Sequence, residues 1–439
     1  MQTSTFLTPL ALAAFVASCT LGGCQPQGED GPSGEGGAGG EFTDDGGRAG
    51  SDSPIGGGGG AAGGGQAGSS QAGSGAGGQA GASQGGAAGG GQAGSQGGKG
   101  GAAGAAPVRV DFGIDSLPDN TTCIAIATAT DTIPPKLSDT GCVQKQNPRE
   151  PATGVIPYDV ASPLWSDGAS KRRFMALPAG GKIKVQADGD WELPIGTTLI
   201  KTFELDGQML ETRFMVRLKD GSWLGYTYQW PPNGTDAMLQ DKDAADRKVG
   251  NIRWTFPSRA NCLACHTEAA GRSLGLETAQ LNSDFVYSGN KVANQLATFT
   301  HLALFTAPIG DPAKLPALPN PLTSTTATTE ARARSYLHSN CSHCHRPGGA
   351  MEVSLDLRYA TTLAQTKTCN VVPSKTTYNI PGAMLIAPGS AGPDSQSIVS
   401  VRLNSTIANI RMPALGTSVL NTQAVALIDA WITKLKACP

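Results

Sequence analysis

Residues 25–106 are built almost entirely from Gly, Ala, Ser and Gln, and more than half of the chain's 60 glycines lie there. Such a stretch has too little apolar surface to offset the entropy lost on ordering it, so it predicts a flexible tether and not a domain. As a random coil its ends would stand on the order of 50 Å apart. Any fold must be made by about residues 107–439, a length suited to two or three domains. The tether also dilutes the composition, so an aromatic content of 5% says little about the folded part.

Ahead of the tether stands the apolar run "FLTPLALAAFV", followed by "ASCTLGGCQPQ". The run is too short for a membrane span and suits the core of a signal peptide. Leu21-Gly22-Gly23-Cys24 has the large–small–small–Cys pattern of a bacterial lipoprotein cleavage site, while "VASC", ending at Cys19, competes with it. The start of the chain lacks Lys and Arg, which leaves an ordinary secretory signal as the alternative. Either reading exports the chain. Cysteine counting favours lipidation of Cys24, because the eight cysteines beyond it then divide evenly: four in two Cys-pair motifs, and Cys123, Cys142, Cys369 and Cys438. In an oxidising compartment the second four can form disulfides, and Cys123–Cys142 with Cys369–Cys438 is the local choice. The expected destination is the outer membrane, facing the periplasm or the cell surface, since Gln25 and not Asp follows Cys24. A net charge of −2 with no basic tract gives no pattern for nucleic acid.

The folded part opens as β. "GKIKVQADGDWELP", "TTLIKTFEL", "QMLETRFMVRL" and "SWLGYTYQW" are rich in β-branched and aromatic residues and are punctuated by Asp188-Gly189, Asp206-Gly207 and Asp220-Gly221. Asp-Gly between alternating apolar runs is a hairpin signal, so an antiparallel meander is expected over about 150–258, as a sandwich or half-open barrel. "KRRF" and "DKDAADRK" read as solvated charge. Later, "TTEARARSYLHSN" and "NTQAVALIDAWITKLKAC" read as helices. The second places Val425, Leu427 or Ile428, Trp431, Ile432 and Leu435 on one face and can be capped at Asn421-Thr422. Between them the chain is rich in Pro, Gly and Ser. The fold class is α+β multidomain: an antiparallel β-sandwich-like region (107–258), a first motif region (259–325) and a mainly α-helical region (326–439).

Two pentads carry the chemistry: Cys262-Leu263-Ala264-Cys265-His266 and Cys341-Ser342-His343-Cys344-His345. On a helical turn the two sulfurs of C-x-x-C fall on one side, where they can add to the vinyl groups of a haem, and the adjoining His comes under the iron. A zinc site drawn from Cys262, Cys265, Cys341 and Cys344 has acceptable ligand types. Its spacing is too long for a zinc ribbon, and zinc gives no reason for a His after each pair. A redox dithiol would want a βαβ setting. Two c-type haems are therefore expected, with His266 and His345 as axial ligands. His338 and His343 read as bystanders, since the x position of the motif normally faces outward. Met412, in a Met-Pro loop ahead of the last helix, is the nominated sixth ligand of the second haem, with Met384 as a rival. His301 is the nominee for the first haem, followed by Met238 and the strand methionines, with an open position as the alternative.

At these residues the chain resembles a c-type cytochrome: "ARARSYLHSNCSHCHRPGG", "RMPALG" and "ALIDAWITKL" are similar to the cytochrome c domain over about 328–439. More widely, "PYDVASPLWSDGASKRRFMALP", "WELPIGTTLIKTFEL", "ETRFMVRL" and "RANCLACHTEAAGRSLGLETAQLN" resemble a family of exported bacterial dihaem c-type cytochromes, over about 137–439. The resemblance implies haem binding and electron transfer, with Cys262, Cys265, His266, Cys341, Cys344, His345 and Met412 at the matching positions. An electron carrier serving redox partner proteins of the envelope is the leading expectation. A dihaem peroxidase or oxidase, using the first haem as an open site, is the alternative. A third reading makes the β-rich region a docking module for a dehydrogenase or carbohydrate, which Trp223, Tyr226, Tyr228 and Trp230 could serve, although alternating aromatics in a strand are more often core and cross-strand packing.

Overall fold

The computed structural model describes residues 106–125, 133–349, 351 and 354–439. Cys19, Cys24, the signal segment and all but the end of the tether lie outside the described residues.

Six strands form the central sheet: β1 (Ile156–Tyr158), β2 (Ser170–Ala176), β3 (Thr198–Leu205), β4 (Gln208–Arg217), β5 (Trp223–Gln229) and β6 (Met238–Leu239). They pair in chain order, every pair antiparallel, so the expected meander is present. The sheet is open, with β1 and β6 at its edges, and so is not the half-open barrel allowed for above. A small hairpin, Lys184–Val185 with Trp191–Glu192, is inserted between β2 and β3. Asp206-Gly207 makes the β3–β4 turn with φ of 50° and 77°, positive at both central residues as a two-residue hairpin of matching twist requires. A second ribbon, β7 (Ala245–Val249) with β8 (Ile252–Phe256), leads straight into the first pentad.

Both faces of the sheet are covered, and side chains alternate between them with period two. Phe174, Ile200, Phe214, Tyr226 and Tyr228 pack on one side against Leu137, Val143 and the Cys123–Cys142 disulfide. Met175, Leu199 and Met215 pack on the other against Cys262, Leu276, Leu296 and Phe299. Trp223, Tyr226, Tyr228 and Trp230 are 8%, 1%, 0% and 0% exposed. They are core, which removes the sequence basis for a docking module.

Helix α1 (Arg259–Cys265) lies over β5, and α2 (Gln295–His301) packs nearby. The C-terminal part holds α3 (Thr329–Cys341), α4 (Ile398–Leu403) and α5 (Thr422–Lys434). Thr328 caps α3 through Ala331 N (3.1 Å), and Asn421 caps α5 through Ala424 N (3.1 Å). Their shared core is Ala333, Tyr336, Leu337, Ala424, Leu427, Ile428, Trp431 and Ile432. Val425 and Leu435, placed on the buried face by the sequence reading, are only half-buried. Irregular chain fills most of the rest of this part, stapled by Cys369–Cys438. It is helical at its two ends and in the short α4, and not throughout, because much of the rest is Pro- and Gly-rich chain. Among the described residues no helix is long and apolar enough to cross a membrane.

Candidate functional site

Both pentads take the same local shape. His266 N donates to Cys262 O at 2.9 Å, and His345 N donates to Cys341 O at 2.9 Å. In each, a helix ends within the motif: α1 runs through both cysteines to Cys265, whereas α3 ends at Cys341 and leaves Cys344 in the turn that follows. Ser258 and Asn261 start α1 with a reciprocal cap: the Ser258 hydroxyl accepts from Asn261 N (3.1 Å), and the Asn261 carbonyl accepts from Ser258 N (3.0 Å). The sheet receives this helix at Gly225, where an added Cβ would stand 2.5 Å from both Cβ and Sγ of Cys262. Only glycine allows that approach.

The two pentads abut. Thr267 Oγ1 donates to His343 O at 2.6 Å, and Cys344 Sγ lies 3.9 Å from Ala264 O. Together they open on one cavity of about 550 Å³, lined by Cys262, Cys265, His266, Cys341, His343, Cys344, His345 and Met412. Much of the remaining wall is apolar, including Leu199, Phe203, Met215, Leu337, Leu355 and Leu357. Met351, Val371, Val372 and Leu415 also line it while being 45%, 37%, 60% and 49% exposed. Large apolar side chains left this open around a cleft fit a mostly apolar occupant that would cover them.

The polar groups of the site point the same way. His266 Nδ1 donates to Arg272 O (2.6 Å), which leaves Nε2 as the nitrogen with a free lone pair. Burial, then the nearby Lys201 charge, pushes the His266 pKa down to about 3, so the ring is a neutral donor. Burial followed by Arg402 lowers the His345 pKa as well. The four thiols are free, and burial raises each of them, Cys341 to about 12. Redox dithiols need the opposite shift, toward thiolate. Among the described residues no three His, Cys, Asp or Glu side chains converge as a metal cage, so the four sulfurs are not gathered around one zinc.

A row of cations crosses the sheet on the site's side. Arg173 is opposite Lys201, and Lys201 is opposite Arg213. Like charges in register repel. Arg173 is relieved by an ion pair with Asp159 and Arg213 by one with Glu211, but Lys201 makes none among the described residues. Burial, with Arg173 and Arg213 beside it, brings the Lys201 pKa down to about 7. Lys201 and Arg213 line the cavity. "KRRF" is therefore not simply solvated charge: Arg173 is 6% exposed. No local pattern signals this row, because it depends on strand register.

Several nominations change in position. Met412 lies on the cavity wall; Met384 does not, and Met238 is 48% exposed on an edge strand. Met351 is a cavity methionine that the sequence reading missed. His301 is not brought to the first pentad. It is exposed, stacked on Phe112 with ring centroids 3.4 Å apart, and its Nε2 meets Asp115 O at 3.1 Å. Although His301 sits in an otherwise apolar helical run, α2 turns its Leu296 and Phe299 face to the core and leaves His301 at its outer end. His343 is the reverse case: it is 8% exposed, not outward-facing.

A loop from β1 to β2 holds the second region against the first. Trp165 N donates to Asn340 Oδ1 (2.7 Å) and its indole donates to Val419 O (2.9 Å). Asp167, 5% exposed, accepts from Ser418 N (2.8 Å) and Val419 N (2.9 Å), just beyond the Met412 loop. Comparison of the chain with family models, curated proteins and solved structures finds no match.

Proposed function

We propose that the protein is a dihaem c-type cytochrome that carries single electrons in the bacterial cell envelope, lipid-anchored at Cys24 and exchanging electrons with redox partner proteins. The observation that carries this reading is the convergence of two C-x-x-C-H turns of the same shape, with Met412, on one apolar cavity. Cys262 and Cys265 would tether one haem over His266, and Cys341 and Cys344 the other over His345. The haem supplies reversible one-electron chemistry at iron; the chain supplies attachment, axial donors, burial and spacing. A haem iron takes four equatorial nitrogens from the porphyrin, so it needs paired axial donors and not a cage of three or four side chains. Imidazoles at His266 and His345 would provide one donor each, and Met412 would provide a thioether, which favours the reduced state. Lys201 and Arg213 are suited to the carboxylates that a haem carries. Because the pentads touch, both cofactors would lie within one protein envelope, as a relay needs.

On this reading the C-terminal part is a cytochrome c domain in which α3 carries the attachment site and α5 closes the fold. The cofactor also accounts for its long irregular middle, since it would replace much of the missing core.

The second reading is a dihaem peroxidase or oxidase. What favours it is the placement of His301 outside the cavity, so the sixth ligand nominated for the first iron is not delivered. The absorption spectrum of the oxidised, purified protein separates the two. An electron carrier gives two low-spin haems; a high-spin haem that binds cyanide and reacts with peroxide supports the enzyme.

A further inference from the structure

The chain has five histidines. His266 and His345 end the pentads. His301 is stacked on Phe112 at the surface. His338 is fully committed, accepting from Tyr359 N at Nδ1 (3.1 Å) and meeting Glu277 at Nε2 (2.6 Å). His343 remains. It is 8% exposed and lines the same cavity as Cys262, Cys265 and His266; its Nδ1 is buried with no hydrogen-bond partner, as is that of His345, which already ends the second pentad. A buried imidazole nitrogen with no partner is costly, and such groups call for a specific explanation.

Its backbone is anchored to the first pentad and not only to its own, through the Thr267 hydroxyl on His343 O (2.6 Å). Thr267 directly follows His266, so the loop that carries the first axial histidine also positions His343. The rivals on the cavity wall are less suited. Met215 is 5% exposed and packed into the sheet's core cluster beside Cys262. Lys201 stands in the cationic row between Arg173 and Arg213, where an anion and not a metal is the complement.

We propose that His343, from inside the second pentad, is the sixth ligand of the iron held by Cys262, Cys265 and His266. The assignment rests on the dihaem reading. It turns the contact between the pentads into a coordinate link: the second motif would close the first haem's open position and make both haems six-coordinate.

The test uses the full-length protein, produced in a host that attaches haem. The unmodified protein is first shown to carry two covalent haems by its denatured mass; a chain without them refutes the dihaem reading itself. His343→Ala is then expected to keep both haems and convert one of the two from low-spin to high-spin, with added imidazole restoring it. Two low-spin haems in His343→Ala, or the same conversion produced by Lys201→Met, would overturn the assignment. If His343→Ala does not fold, near-infrared magnetic circular dichroism of the unmodified protein decides. One bis-imidazole haem beside one imidazole–thioether haem supports the ligand, whereas no bis-imidazole signal overturns it.

Discussion

The two pentads share a backbone turn but are held by different means. The first sits on a seven-residue helix laid on a β-sheet, seated at a glycine and fed by a β-ribbon. The second ends a thirteen-residue helix that packs on another of equal length, with a methionine loop between α4 and α5. The first is a graft, its environment supplied by strands β3 to β5 and by the neighbouring pentad. The second brings its own two-helix core and needs the sheet only through the Trp165–Asp167 loop. On the dihaem reading, a short attachment motif would be served by unrelated scaffolds, because thioether tethers would ask little of the surrounding fold beyond a local turn and an apolar wall.

The largest expected effect tests whether the two sites load independently. Cys262→Ala/Cys265→Ala should remove one haem and leave the second region folded with its thioether-ligated spectrum. Cys341→Ala/Cys344→Ala should remove the other and also perturb the first haem, because its neighbour loop is displaced. Denatured mass and visible spectra read both, and a symmetrical outcome would break the comparison.

Crosslinks come next. Cys369–Cys438 closes a separation of 69 residues and Cys123–Cys142 one of 19. Loop entropy makes these worth about 4 and about 3 kcal/mol. Serine replacement of each pair should therefore weaken the C-terminal region more than the sheet's outer layer, measured by denaturant melts followed at the Soret band and by tryptophan emission. Equal losses would show that native-state contacts and not loop length govern the difference.

Smaller, and confined to the graft, is Gly225→Ala. Its methyl would overlap Cys262, and overpacking of this kind costs roughly 1–3 kcal/mol. The first haem's spectrum should broaden or shift while the second is unchanged. The mildest effect is expected from Asp167→Asn, which keeps an acceptor for the Ser418 and Val419 amides but removes the charge. It should cost about 1 kcal/mol and loosen only the Met412 loop, seen as a small drop in the second haem's reduction potential.

The parts legible in the sequence are those whose information is local. The pentads, the Asp206-Gly207 turn, the period-two strands and the Asn421 cap each depend on a few neighbouring residues. The local pairs Cys123–Cys142 and Cys369–Cys438 are likewise the ones joined in the structure. What could not be read depends on tertiary placement. His343 is buried where its backbone carbonyl meets Thr267, 76 residues away, a contact that no local pattern signals. The cationic row exists only in the β2–β3–β4 register, and His301 is displaced because helix α2 turns a different face inward. The Trp165–Asp167 bridge carries no local signature at all, although it joins residues about 250 positions apart.

The central claim is that both pentads bear covalently attached haem, and the most direct test is the mass of the denatured, processed protein from a cytochrome-maturing host, read beside its Soret absorbance. The account predicts a chain heavier by two haems, with the absorbance retained after unfolding. A bare polypeptide with no Soret band would contradict it.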